Sequence, residues 1–214
     1  MKFYGYFRSS ASYRLRIALA LKGIAHEQAS IHLTRGGGEQ FAPAFRKLNP
    51  QELVPVIEDD GHVLIQSLAI MEYLEETHPT PAILPKAPAD RARVRALSQI
   101  VACEMNPLNN LRVLTYLTKQ LDVSEEAKLA WYRHWVALGF AALEGLLAGH
   151  RQTGQFCHGD TPTMADICLV PQVFNAKRFE CPLSAFPTVM RIHDACQALP
   201  AFAAAVPAKQ PDAE

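Results

Sequence analysis

The feature that most limits what this chain can fold into is a change of pattern across Pro79 to Pro88, a stretch that holds four prolines. Before it, short apolar runs of strand length alternate with helical segments. After it, apolar residues recur only at helical spacing. Proline fixes φ and lacks a backbone donor, so clustered prolines neither continue a helix nor join a sheet, and the stretch reads as a linker. The expected organisation is an α/β module over residues 1–80, a linker over 81–89 and an all-helical module over 90–214. Hydrophobic residues make up 49% of the chain, enough for substantial cores and inconsistent with disorder.

In the first module Lys2 to Tyr6 has strand character, and Ser12 to Lys22 is a helix stopped by Gly23. Glu27 to His32 is then a second strand, joined to the first by a right-handed β-α-β crossover. Thr34 to Glu39 is a loop and Phe41 to Leu48 a short helix. Val54 to Glu58 and His62 to Ile65 flank Asp59-Asp60-Gly61, a hairpin signal. Ser67 is placed to cap a helix over Leu68 to Thr77, which His78-Pro79 ends. In the second module, helices span Arg91 to Met105 and Leu108 to Leu121. Asn106-Pro107 divides them, either as N-cap and N1 of a new helix or as a kink in a long one. Ser124 caps a helix to about Leu147, with Glu125 and Glu126 near its positive end. Thr163 and Asp166 form a capping-box pattern before the most apolar helix, expected at the centre of the module. A last helix covers Thr188 to Leu199, and the tail from Pro207 to Glu214 is expected to be loose.

Charge and cysteine usage narrow the function. Lys+Arg and Asp+Glu number 21 each, with no basic tract, which disfavours nucleic acid as a partner. The first ten residues lack the apolar core of a signal peptide, and no apolar run is long enough to cross a membrane. The five cysteines (Cys103, Cys157, Cys168, Cys181 and Cys196) form no CxxC pair, which points to reduced thiols in a cytoplasmic protein. The eight histidines show no metal-binding spacing, so no metal site is expected.

The candidate site begins at Phe7-Arg8-Ser9-Ser10-Ala11-Ser12, where a strand runs through a hydroxyl-rich turn into a helix. Hydroxyls and unpaired N–H groups then meet at a helix N-terminus beside the fixed charge of Arg8, an arrangement suited to an anion. The anion could be a phosphate, a carboxylate or a thiolate. The plain alternative is that Ser9, Ser10 and Ser12 only cap the helix. Ser67 raises the same pair of readings. Val54-Pro55 is an ordinary strand entry on residue statistics alone, which favour a trans bond.

Four segments in register, RSSASYRLRIALALKG, LNPQELVP, IQSLAIMEYLEETHPTP and GDTPTMADICLVPQVFNAKRF, resemble the zeta class of cytosolic glutathione transferases, a class that includes maleylacetoacetate isomerases and is close to the glutathione-dependent maleylpyruvate isomerases. The resemblance runs from Lys2 to about Pro211. It implies a thioredoxin-like N-terminal domain, an all-α C-terminal domain, a homodimer, and glutathione as cofactor. It implies that Ser9 donates to the glutathione sulfur, with Ser10 and the N–H of Ala11 assisting, and that Gln66 and Ser67 bind the γ-glutamyl end. It also implies a cis Pro55 that exposes the Val54 backbone to the cysteinyl unit, and contacts from Gln51, Asn106 and Asn110. Arg8, Arg112 and Arg178 become the substrate-binding residues, with Arg8 and Arg178 also catalytic, because guanidinium groups suit a dianionic substrate and a developing enolate. Where many zeta enzymes have a cysteine, this chain has Ala11. The implied activity is cis–trans isomerisation by reversible thiolate addition. The alternatives are a transferase or dehalogenase acting on α-halo acids, and a non-catalytic glutathione-binding protein.

Overall fold

The computed structural model describes all 214 residues. In chain order it contains β1 (Lys2–Gly5), α1 (Ser10–Lys22), β2 (Glu27–Ser30), α2 (Pro43–Leu48), β3 (Val56–Asp59), β4 (His62–Ile65) and α3 (Ser67–Thr77). These are followed by α4 (Pro88–Gln99), a π-helical segment (Ile100–Met105), α5 (Leu111–Lys119), α6 (Glu125–Leu147), α7 (Met164–Arg178), α8 (Pro187–Gln197) and α9 (Pro200–Ala204). Two compact units result. One comprises Met1–Ile83 with Leu199–Glu214, the other Leu84–Ala198.

The first unit is built on a four-stranded sheet of order β2-β1-β3-β4. β1 and β2 are parallel, and α1 is the crossover between them. β3 runs antiparallel to both β1 and β4. Asp59 pairs with His62, and Asp60 and Gly61 take φ of 47° and 78°, so the hairpin has the two left-handed central residues that an Asp-Gly turn supplies. α1 is buried from Ser12 to Leu19, packed by α3 and α9 as well as by its place on the sheet. Gly23 closes it at φ 64°, a conformation that costs glycine little.

The second unit is helical throughout. α7 is buried continuously from Met164 to Val173 and packs against α4, α8 and the π-helical segment, the central position its composition predicts. The capping box forms: Asp166 Oδ2 accepts from Thr163 N and Thr163 Oγ1, each at 2.8 Å, while Oδ1 accepts from Cys157 N at 2.8 Å. Burial pushes this carboxyl above the ordinary range against the effect of those bonds. The Cys157 thiol is fully enclosed and also pushed up, chiefly by burial. Ser124 caps α6 by accepting from Ala127 N at 3.2 Å.

Several boundaries differ from the sequence expectation. Asn106 does not restart a helix. The chain passes from α4 into the π-helical segment, and Asn106 N donates to Val101 O at 2.9 Å, one residue wider than an α-helical bond. Pro107 follows, with no N–H to extend the ladder. Asn110 is the cap instead, its side chain accepting from Arg112 N at 3.1 Å. Ser67 is the first residue of α3 rather than its cap, because Gln66 enters the helix at φ 69°. Pro200 ends one helical run and opens α9, so residues 199–214 group with the first unit and not with the helical module. The tail is not loose: Asp212 Oδ2 accepts from Phe7 N at 3.0 Å, and Glu214 lies 3.0 Å from His32 Nε2 and 2.7 Å from Arg35 Nη2.

Candidate active site

Sheet register brings three of the predicted segments together. Tyr4 pairs with Val56, and Val56 pairs with Ile65. The residues just beyond these pairs, the serine turn after β1, Val54-Pro55 before β3 and Gln66-Ser67 after β4, therefore emerge at the same end of the sheet. The Val54-Pro55 bond is cis, as the resemblance implied and residue statistics did not. The ladder stops at Val56, which leaves the Val54 peptide groups outside it. Gln66 and Gln51 meet, with Nε2 of the former donating to Oε1 of the latter at 2.7 Å. Gln66 holds a left-handed φ without being glycine, a conformation that side chains rarely adopt except where surrounding structure enforces it.

The serine turn caps α1 with geometry that is compatible with both readings. Ser9 sits at the N-cap of α1 with φ −68° and ψ 121°, and its Oγ accepts from Ser12 N at 3.2 Å. That bond uses a lone pair and leaves the hydroxyl proton to donate. Ser10 and Ala11 occupy the first turn, where helix geometry supplies no intrahelical acceptor for their N–H groups. Ser12 faces inward and its Oγ accepts from Tyr6 N at 3.3 Å. The Arg8 guanidinium donates through Nε and Nη2 to the Tyr6 hydroxyl at 3.2 and 2.8 Å and lies 4.9 Å from the Phe7 ring centroid. Ser67 is buried, and its hydroxyl accepts from Arg14 Nη1 at 3.0 Å, which ties the start of α3 to α1.

The remaining predicted residues lie in the second unit. The turn carrying Asn106 and Asn110 is held on α6: Trp131 Nε1 donates to Leu108 O at 2.9 Å, and Asn109 Nδ2 to Tyr132 O at 3.4 Å. Arg112 follows that turn and is exposed. Arg178 ends α7, exposed, with its guanidinium 5.1 Å from the Phe179 ring centroid. Phe179 stacks on Tyr132 at 3.9 Å, and its carbonyl accepts from Arg133 Nε at 3.2 Å. The turn and the end of α7 are thus both fastened to Trp131–Arg133 of α6. The predicted arginines are divided between the units, Arg8 in the first, Arg112 and Arg178 in the second.

Comparison with known proteins bears directly on this arrangement. Residues 3–82 match the family profile "Glutathione S-transferase, N-terminal domain", and residues 130–204 match "Glutathione S-transferase, C-terminal domain". A probable maleylacetoacetate isomerase of Vibrio cholerae is 50% identical over 98% of this chain and 97% of its own. The holo structure of a maleyl pyruvate isomerase, described as a bacterial glutathione S-transferase in the zeta class, superposes with a TM-score of 0.97 at 48% identity, covering both chains completely. The chain belongs to the zeta-class glutathione transferases. A maleylacetoacetate isomerase from Methylobacterium extorquens, solved with malonate and glutathione bound, superposes with a TM-score of 0.96 at 43% identity, again over both full chains.

For a transferase of this class the group to be accommodated is glutathione, and the donor set fits it. A helix-start N–H at Ser67 suits a carboxylate, the unpaired Val54 peptide suits an extended peptide unit, and the hydroxyl of Ser9 with the N–H of Ala11 suits a thiolate. Sequence reasoning missed the residues that support this set, among them Arg14, Arg16 and Tyr6. Arg14 and Arg16 are 2% and 4% exposed inside α1. Their signal was faint: both lie in a run, YRLRIALAL, that offers no solvent-facing stripe for a charge.

Proposed function

We propose that this transferase is a glutathione-dependent cis–trans isomerase of a small dianionic cis-enone, converting maleylacetoacetate to fumarylacetoacetate in aromatic amino acid catabolism. The observation that carries the reading is the meeting of the serine turn, Val54-Pro55 and Gln66-Ser67 at one end of the sheet. When bound, glutathione supplies a thiolate that adds to the conjugated double bond, allows rotation and leaves again.

The chain's own residues have definable tasks. The Ser9 hydroxyl donates to the sulfur, with Ser10 and the Ala11 N–H assisting. A free thiol has a pKa near ~8.5, so little of it is ionised at neutral pH. A hydrogen bond to a charged acceptor is worth about 1.5–3 kcal/mol, or about 1–2 pKa units, whereas an exposed helix N-terminus contributes about 0.3–1 kcal/mol. The hydroxyl is therefore the larger effect. Val54, Gln51, Gln66 and Ser67 orient the tripeptide, and Asn106 and Asn110 are assigned further contacts with it. Arg8, Arg112 and Arg178 are assigned to the substrate carboxylates and to the oxygen on which charge develops, which a guanidinium stabilises without itself exchanging a proton. We further infer a 1–80 glutathione-binding domain, a homodimer and a cytoplasmic location. No helix of the chain is long and apolar enough to cross a membrane.

A second reading, maleylpyruvate isomerase, is favoured by the full-length superposition on such an enzyme. The two diacids share the cis-enone carboxylate that the site chemistry addresses. Turnover of both, side by side with free thiol monitored, decides between them. The expected result is trans product at constant thiol, faster from maleylacetoacetate. Steady thiol loss on an α-halo acid without isomerisation would make the protein a dehalogenase, and failure to bind immobilised glutathione would make the site a relic.

A further inference from the structure

Phe7 lies in the turn that leads to Ser9, and both of its backbone polar groups are held by side chains from outside the turn. Its N–H donates to Asp212 Oδ2 at 3.0 Å, and its carbonyl accepts from Arg16 Nη2 at 2.9 Å. Arg16 Nη1 reaches the Tyr6 carbonyl at 3.4 Å, and that same carbonyl accepts from Ser9 N at 3.0 Å. Arg16 Nε donates to Ala205 O at 3.0 Å, just beyond α9. With Ser12 Oγ accepting from Tyr6 N, four consecutive polar groups of the Tyr6-Phe7 backbone are bonded. Burial lowers the Arg16 pKa to about 10, with the Asp212 charge acting in the opposite direction, so the guanidinium stays charged at neutral pH. Asp212 Oδ1 is buried with no hydrogen-bond partner. The carboxylate thus acts through the Phe7 N–H and through its field on Arg16. Beside it, Ala213 packs on the cluster that contains Tyr6, Phe7 and Val54.

We propose that Arg16 and Asp212 form a latch by which the C-terminal tail positions the serine turn, making Asp212 a positioning residue for thiolate activation. The inference rests on the reading that this turn holds the glutathione thiolate. Hydrogen-bond strength falls steeply with angle, so a turn free to shift weakens whichever of its groups donates to sulfur. The latch closes only when residues 205–212 are folded back on α1, which gives the tail a role in chemistry as well as in packing.

The test uses full-length Asp212→Ala, Asp212→Asn, Ser9→Ala and Arg35→Ala. Two quantities are read: the absorbance titration of enzyme-bound glutathione thiolate, and amide hydrogen exchange of Phe7 in the free protein. Asp212→Ala should raise the bound-thiol pKa by about 0.5–1 unit, part of the ~1–2 units that the whole hydrogen bond supplies. Phe7 exchange should become at least about tenfold faster, the factor for loss of roughly one hydrogen bond. Asp212→Asn keeps an acceptor for the Phe7 N–H and should recover most of both effects. Arg35→Ala breaks only the exposed pair with Glu214 and should change neither. A lowered thermal midpoint in Asp212→Ala with an unchanged titration would make the latch purely structural and overturn the proposal. A shift in Ser9→Ala without one in Asp212→Ala would do the same while leaving the Ser9 assignment standing. A shift in Asp212→Ala without one in Ser9→Ala would uphold the latch and pass the donor's role to another group of the turn.

Discussion

Ser9→Ala separates the cap that the structure shows from the sulfur-donating role proposed for this hydroxyl. The Oγ caps α1 by accepting from Ser12 N, and replacing a serine cap with alanine costs about 1 kcal/mol. For a chain of this length that corresponds to roughly 2–4 °C in Tm. The donated bond to sulfur is a separate quantity, worth about 1–2 units in the pKa of bound glutathione. The Ala11 N–H and the start of α1 survive the substitution, so the helix N-terminus, worth less than about one unit, still lowers the thiol pKa. Ser9→Asp provides the contrast. Aspartate caps as well as serine, so stability should return to within about 0.5 kcal/mol of the parent. A carboxylate cannot donate and repels a thiolate, so the thiol pKa should rise beyond that of Ser9→Ala. Absorbance of the bound thiolate against pH gives one quantity and calorimetry the other. A Tm loss in Ser9→Ala with an unchanged titration would reduce Ser9 to a cap. The same result with a raised titration in Ser10→Ala would move the chemistry one residue along.

Arg178→Ala should lower kcat/KM for the diacid at least tenfold while glutathione affinity barely moves, with Arg178→Lys recovering only part because bidentate geometry is lost; equal losses in both would assign Arg178 to the cofactor. Asp166→Ala strands two buried N–H groups and the Thr163 hydroxyl, partly offset by relief of a buried charge, and should cost about 2–4 kcal/mol, seen as a Tm drop of roughly 4–16 °C. Asp166→Asn should rescue little, since its NH₂ would oppose one of the N–H donors; a parental Tm in either variant would contradict the capping argument. Burial lowers the pKa of His193 against the pull of Asp194. The unfolded chain therefore takes up that proton first, and the stability His193 contributes is complete above its unfolded pKa, near 6.5, and lost as pH falls through the folded value. Calorimetry of His193→Gln from pH 5 to 7.5 should show a flatter Tm profile than the parent (about 6.5 is the unperturbed histidine value); an identical slope would place the dependence elsewhere.

Local chemistry alone dictated much of this protein. Gly23 had to stop α1, Asp60-Gly61 had to turn, Ser124 had to cap α6, and the apolar run after Thr163 had to be enclosed, because each depends on residues within a few positions of one another. The serine turn was legible for the same reason. What the sequence could not decide was any outcome set by a distant partner. Residue statistics made Pro55 trans, and only the resemblance of the whole segment pointed to the cis bond that the fold holds. Asn106-Pro107 read as a helix restart or a kink, but the wide turn of Ile100–Met105 makes Asn106 the end of that run, and Asn110 caps the next helix. The tail looked loose because the residues around Asp212 do not specify what would tie a chain end down. Its partners, the Phe7 N–H and Arg16, lie at the other end of the chain, and the buried Arg16 reaches one of its three backbone acceptors, Ala205 O, only when the chain's two ends meet.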